Sequence, residues 1–254
     1  MKSRHAKILE RLSVDGEATV QTLAESFGVS VMTIRRDLAQ LEAGGELTRT
    51  HGGAVRSHPG LVEFAFKQKG EQYAKEKRAI AQEARQLIES GMTVTLDTGT
   101  TTLEVAKAIA GIPDLTVLTS SLAIASVLYG RPNISLVLAG GAVRTGSPDL
   151  SGWLTEENLK RFRVDVACIG ADGVDQEGVF TTDVNVARVS QAMIASAHET
   201  VLVADHTKFE KPAFVCFASW SDIDCVVTGI ALPLETCTWL ENAVRTVTYA
   251  IHAR

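Results

Sequence analysis

The sequence predicts an α/β chain in two unequal parts, a small N-terminal domain and a larger one built on a mainly parallel sheet. Three observations carry this. Apolar residues recur at helical spacing up to Leu41. From Glu76 onward, short runs rich in Val, Ile and Leu alternate with helical stretches, the pattern of strands covered on both faces. The chain has 254 residues, 45% apolar and 22% charged, enough for a large core plus a small one and far from disordered or collagen-like composition.

The N-terminal elements follow in order. Ile8, Leu9 and Leu12 make a short amphipathic helix that Asp15-Gly16 breaks. Val20, Leu23, Ala24 and Phe27 fall on one helical face, and Gly28 ends that helix. Ser30 is placed to N-cap a third helix, whose buried stripe is Ile34, Leu38 and Leu41 and which Gly44-Gly45 stop. Glu46–His51 has strand character, Gly52-Gly53 can turn, and Ala54-Val55 return. Two helices joined by a Gly-containing turn and followed by a hairpin predict a winged helix-turn-helix over residues 1–56. Val31, Met32, Thr33, Arg35 and Arg36 lie off the apolar stripe and are free to face outward. A recognition helix puts such residues into the major groove, where Arg donates two hydrogen bonds to guanine or pairs with phosphate. The expected DNA-contacting set is Ser30, Met32, Thr33, Arg35 and Arg36, with Arg49 and His51 reaching the flanking backbone from the wing. A small protein-interaction domain is the bland alternative.

Net charge is −5, which taken whole argues against a nucleic-acid partner. The distribution removes that argument. Residues 1–56 hold eight Lys/Arg and seven Asp/Glu, net +1, leaving −6 for the rest.

Residues 57–75 read as a linker in which Pro59 disfavours continuous helix, and 76–254 as one α/β domain. Its expected strands are Met92–Asp97, Leu115–Thr119, Ile134–Ala139, Val164–Gly170, Thr200–Ala204, Cys225–Thr228 and Thr246–Ile251. Helices are expected near 79–88, 102–110, 121–129, 154–161, 184–197 and 233–243.

The sharpest site is Asp97-Thr98-Gly99-Thr100-Thr101-Thr102, at a strand's carboxyl end and opening a helix, where open α/β sheets bind ligands. Gly99 permits a tight turn, and Thr101-x-x-Glu104 matches a capping box. Hydroxyls and free first-turn amides suit an anion such as phosphate, while Asp97 suits a sugar hydroxyl. An ordinary capped turn is the competing reading. Ser120, Gly140, Gly141 and Asp172 follow later strand ends and should share the same edge. Lys208 adds a cation.

Asp97, Asp172, Asp205 and Lys208 also admit an aldose–ketose isomerase. No nucleophile motif or metal-ligand spacing accompanies them, so catalytic residues, metal and cofactor are all expected to be absent. Cys168, Cys216, Cys225 and Cys237 form no C-x-x-C pair, and with three in apolar runs they read as reduced core thiols of a cytoplasmic protein. No signal peptide or membrane span is visible. Trp153, Trp220 and Trp239 read as packing or oligomer contact.

Ser30-Val31-Met32-Thr33-Ile34-Arg35-Arg36-Asp37-Leu38-x-x-Leu41-Glu42, then Arg49-Thr50-His51-Gly52-Gly53-Ala54, resembles the N-terminal signature of DeoR-family transcriptional regulators. The similarity continues through Glu76–Ala81, Leu96–Thr102, Leu138–Gly141, Ile169–Val174, Thr181-Thr182 and Ala204–Phe209, nearly the whole chain. The resemblance implies a cytoplasmic, homo-oligomeric repressor of a carbohydrate-catabolism operon. It implies a C-terminal domain with the ribose-5-phosphate isomerase/CoA transferase-like fold, sensing a phosphorylated sugar through Asp97, Thr98–Thr102, Gly140, Gly141, Asp172 and Lys208. Two departures stand out. Ser120-Ser121 replaces the usual Asn-Ser, and Ser190-Gln191 precedes Ala192-Met193-Ile194 where a lysine is common, which predicts one cation fewer near the sheet edge.

Overall fold

The computed structural model describes residues 4–15, 17–43, 47–50, 52–56, 66, 68–211 and 213–251. The chain divides into two compact units, Met1–Ala65 and Phe66–Arg254. The second begins ten residues ahead of the expected start, because 68–71 is helical and Lys69 bonds into it.

In the first unit, α1 (Arg4–Asp15), α2 (Val20–Phe27) and α3 (Val31–Ala43) surround Ile8, Leu12, Leu23, Ile34, Leu38 and Leu41, all buried. Gly28 closes α2 in the left-handed region (φ 62°), where glycine carries no Cβ penalty. The Ser30 Oγ accepts the Thr33 amide at 3.2 Å, the expected cap. The wing is β2 (Leu47–Arg49) and β3 (Gly53–Arg56), with a third strand the sequence did not announce, β1 (Glu17–Thr19), giving the order β1-β3-β2. Three residues, Glu-Ala-Thr, show no usable alternation; β3 makes them a strand by antiparallel pairing. A Cβ at Gly53 would lie 2.1 Å from the Ala18 carbonyl oxygen, so that pairing requires glycine there. Gly16, Gly44-Gly45-Glu46, His51 and Pro59 lie outside the described residues, and with them the expected helix breaks, one wing contact and the centre of the linker.

The second unit opens, after the 68–71 turn, with α4 (Ala74–Arg85). Its sheet comprises β4 (Thr93–Leu96), β5 (Leu115–Thr119), β6 (Ile134–Leu138), β9 (Val164–Ile169), β12 (Ala197–Ala204), β14 (Cys225–Gly229) and β15 (Thr246–Ala250). All seven are parallel, in the order β15-β14-β12-β9-β4-β5-β6. Both faces are covered: on β9, Val166 and Cys168 face the cluster containing Ile80, Val105 and Ile124, whereas Ala167 and Ile169 face the one containing Ala187 and Leu240. Strands buried on two sides must be apolar throughout, hence their uninterrupted runs. The covering helices are α5 (Thr100–Ile109), α6 (Leu122–Leu128), α7 (Trp153–Leu159), α8 (Val184–Ser196) and α9 (Leu234–Ala243).

Short elements escaped the sequence reading. β7 (Ala142–Val143) pairs with β8 (Leu150–Ser151); β10 (Gly173–Asp175), β11 (Gly178–Thr181) and β13 (Val215–Ala218) form a small antiparallel sheet. Two thiols, Cys168 and Cys225, are buried, and burial pushes their pKa values up to about 12 and about 11; Cys216, on the small sheet, is exposed rather than in the core. Trp220 and Trp239 pack together with centroids 5.4 Å apart, but Trp153 is 73% exposed and packs no core.

Strand order positions the site. From β4 the chain moves outward through β5 and β6, then returns to the other side of β4 with β9 and proceeds to β12, β14 and β15. The reversal leaves a crevice beyond the carboxyl ends of β4 and β9, the topological switch point of an open sheet.

Candidate functional site

On the first unit, α3 turns its apolar stripe inward and leaves Arg35, Arg36 and Met32 exposed, Met32 by 69%. Neither arginine makes an ion pair among the described residues. Thr33 is half-buried, its hydroxyl 2.9 Å from that of Ser30, so both serve the helix start. Asp37, immediately after the arginines, is buried and grips α1 through Arg4 (Nε 2.5 Å, Nη2 2.9 Å) and His5 (3.2 Å). The Arg4 guanidinium outweighs burial and holds the Asp37 carboxyl below its ordinary pKa. Arg49 is exposed but committed: its amide and Nε donate to Glu42 at 3.0 and 2.7 Å, tying wing to α3. His51 is outside the described residues.

On the second unit, β4 ends at Leu96 and Asp97 sits at the switch point, its Oδ2 accepting the Gly170 amide from the end of β9 at 3.1 Å. Asp97 is 5% exposed and its Oδ1 has no partner. Burial, opposed by amides of Thr98 and Gly170 and reinforced by Asp149 and Asp172, raises its pKa to about 6. The expected capping box at Thr101 and Glu104 is not formed. Gly99 is the N-cap, and Thr102 reaches back to its amide at 2.8 Å while donating to the Asp97 carbonyl. Glu104 pairs with Lys107 instead. Thr102 is thus consumed in fixing the turn. Thr98, Thr100 and Thr101 remain at the mouth of α5, whose first amides have no partner within the helix.

At the neighbouring β5 end, Ser120 is fully buried with its hydroxyl unpartnered, and Ser121 caps α6 through the Ile124 amide. Gly140 and Gly141 follow β6 with positive φ, 74° and 122°; a Cβ at Gly141 would fall 1.9 Å from Thr155 Oγ1. These two glycines serve close approach of α7. A loop folds over this edge, held by Arg144 in a fork on Asp149 (2.8 and 2.7 Å) that also reaches Asp183.

Charged groups flank the crevice beyond β9 and β12. Asp172 accepts from Thr181 Oγ1, from the Thr182 amide and hydroxyl, and from Lys69 Nζ at 3.0 Å. Burial disfavours its charge, yet Lys69 and Thr182 win and its pKa falls well below the carboxylate range. Asp205 is spent on its own turn, accepting the Thr207 amide and hydroxyl. Lys208 ends that turn half-buried; burial first, then Lys69, lowers its pKa, with Asp205 and Asp172 opposing. Buried Glu76 takes the His206 amide and Nδ1 at 2.9 and 2.7 Å.

The structure therefore gathers Asp97, Thr98–Thr102, Ser120 and Asp172 at one sheet edge, with Lys208 in electrostatic range of Asp172. Gly140 and Gly141 lie one strand further out. Sequence reasoning missed Lys69, Lys77, Glu76 and His206 as neighbours of this edge. Lys77 and Glu76 stand in a motif that only the family resemblance marks, and His206 in the turn that was read for Lys208 alone; Lys69 has no signal, lying in a stretch read as linker. Ser190 is buried on α8 with an unpartnered hydroxyl, while Gln191 is exposed in mid-helix. Among the described residues no metal-ligating cluster occurs, and no helix is long and apolar enough to cross a membrane.

A winged helix with an outward cationic face, carried on one chain with an α/β unit open at its switch point, defines a ligand-responsive DNA-binding regulator. Family models agree in both units: the DeoR-like helix-turn-helix domain matches residues 4–59 and the DeoR C-terminal sensor domain residues 72–229. The chain belongs to the DeoR family of transcriptional regulators. It is 32% identical to the HTH-type transcriptional repressor CsqR of Escherichia coli K12, covering 94% of this chain and 92% of that one. It is also 32% identical to the glycerol-3-phosphate regulon repressor of the same organism, over 91% and 92%. Among solved structures, a ribose 5-phosphate isomerase A from Methanocaldococcus jannaschii is similar at 20% identity over 52% of this chain and 53% of that one, with a TM-score of 0.39.

Proposed function

We propose that this chain is a cytoplasmic repressor of a carbohydrate-catabolism operon, released from its operator by a phosphorylated sugar or related metabolite. The observation that supports it most is the junction at the switch point. Free amides and hydroxyls at the mouth of α5 suit a phosphate, while the buried, unpartnered Asp97 Oδ1 beside them suits a hydroxyl. Ser120 adds a second unpartnered polar atom and Lys208 a cation; Asp172 supports the rim.

The reading head is residues 1–56. Arg35 and Arg36 meet bases or phosphates, Met32 offers an apolar contact, and Ser30 and Thr33 set the helix entry. Arg49 acts through Glu42 by holding the wing, and His51 contacts the flanking backbone. One head makes few contacts, so a homo-oligomer presents two to paired half-sites. The repressor names of its relatives support the sign of control.

A gel shift on DNA upstream of the gene tests this. Wild type should bind and be released by one member of a panel of pentose, hexose and triose phosphates, whereas Arg35→Ala/Arg36→Ala should bind at least tenfold more weakly, the loss of charged contacts in two heads. Equal binding by both proteins would overturn the recognition-helix assignment, and indifference to every phosphorylated compound would overturn the effector class.

A further inference from the structure

The segment 68–73 contributes more than a connection. Its helical turn at 68–71 lies against the effector loop: a methyl at Gly70 would be 3.8 Å from Thr100 Cγ2, at the first residue of α5. The backbone is anchored there, because Lys77, only 3% exposed, donates its ammonium to the Lys69 carbonyl at 2.6 Å. The Lys69 side chain then extends across the site to Asp172 at 3.0 Å.

Two features make that last bond exchangeable. Asp172 keeps three other donors, on Thr181 and Thr182, so losing Lys69 leaves it satisfied. Lys69 is half-exposed (52%), so its ammonium leaves without a desolvation barrier. Lys208 also feels Lys69 as a like charge, a repulsion that an anion between them would remove.

We propose that Lys69 is an anion-contacting residue of the effector site, and that a bound phosphate draws its ammonium from Asp172 towards the α5 N-terminus. Because Lys69 belongs to the segment at the start of the second unit, the exchange makes that segment a reporter of occupancy. Effector charge is read by the chain that leads to the DNA-binding head. This rests on the effector reading above and assigns it a further residue and a route outward. A ligand regulates only through contacts that differ between two arrangements, and the two partners of Lys69 are such a difference.

The test uses the full chain and the phosphorylated sugar selected by the gel shift, with inorganic phosphate as second probe. Calorimetry compares wild type, Lys69→Gln, Lys69→Arg and, as a charge-matched control in the exposed neighbour, Lys75→Gln. Lys69→Gln should bind both probes about tenfold more weakly, as loss of one charge-assisted contact implies, with Lys69→Arg recovering most of it and Lys75→Gln behaving as wild type. Amide exchange should show residues 68–71 changing protection with probe in wild type and not in Lys69→Gln. Wild-type affinity and an unaltered exchange response in Lys69→Gln would overturn the inference while leaving the effector site standing, as would equal losses in Lys69→Gln and Lys75→Gln. Failure of wild type to bind either probe would overturn both.

Discussion

Asp97 is the residue on which site and stability meet. Its carboxyl is buried, one oxygen lacks a partner, and its pKa rises to about 6 from an ordinary value near 4. In the unfolded chain the group ionises near pH 4, whereas in the folded one it stays protonated until about 6. Its contribution to stability is therefore fully present below pH 4 and is lost as pH rises through 6. At neutral pH the buried Asp97 charge carries a penalty of order 2–3 kcal/mol. Asp97→Asn removes the charge while its amide oxygen still accepts from Gly170. It should raise unfolding stability by about 2 kcal/mol at pH 7.5, the gain vanishing towards pH 4, and abolish effector response. Denaturant unfolding at the two pH values measures it; a destabilised or pH-independent variant would show that the carboxylate is not under strain. This tension was not visible in the sequence. Asp at a strand end announced itself, but its missing hydrogen bond depends on what β9 places opposite.

Between elements, Asp37 shows how a motif divides its labour. Arg35-Arg36-Asp37 reads as a charged run, yet the arginines face out while Asp37 faces in and locks α3 to α1 through Arg4 and His5. Asp37→Ala should destabilise the first unit by about 2–3 kcal/mol, below the cost of a fully buried pair because Arg4 is itself 40% exposed. Since the folded pKa of Asp37 is depressed, its contribution is present above pH 4 and disappears as pH falls through the folded value. Tryptic nicking of the full chain separates the outcomes. Faster cleavage within residues 4–56, with the second unit intact, is expected, and unchanged cleavage would mean the pair contributes nothing. Elements defined by long periodicity or by two-sided burial were readable in advance: the helices around Ile34 and Leu38, and the seven sheet strands. Those defined by partners were not. β1 exists because β3 needs it, β10, β11 and β13 are three or four residues each, and the α5 cap moved from Thr101 to Gly99 because the Thr102 hydroxyl bonds two backbone groups at once. Of the effector edge, glycine- and threonine-marked turns were legible, but Lys69 arrives from the stretch read as linker and Glu76 from a helix rather than a strand end.

At the scale of the whole molecule, an acidic protein must hold a polyanion through few contacts. The +1 of residues 1–56 is already partly internal, since Arg4 is held by Asp37 and Arg49 by Glu42, and the rest of the chain repels phosphate overall. That leaves Arg35 and Arg36 as exposed cations on α3 without ion pairs among the described residues, four in the proposed pair of heads. Counterion release then fixes the salt dependence of operator binding. With each arginine on one phosphate and two heads engaged, log K should fall against log salt with a slope of about −3.6, and Arg36→Ala should bring it to about −1.8. A single engaged head gives half those values, so the slope counts heads as well as contacts. A wild-type slope near −1.8 in anisotropy titrations would exclude paired half-site binding through these four arginines. One far steeper than −4 would show that the wing or residues beyond α3 carry most of the phosphate contacts, and that Arg35 and Arg36 serve to read bases.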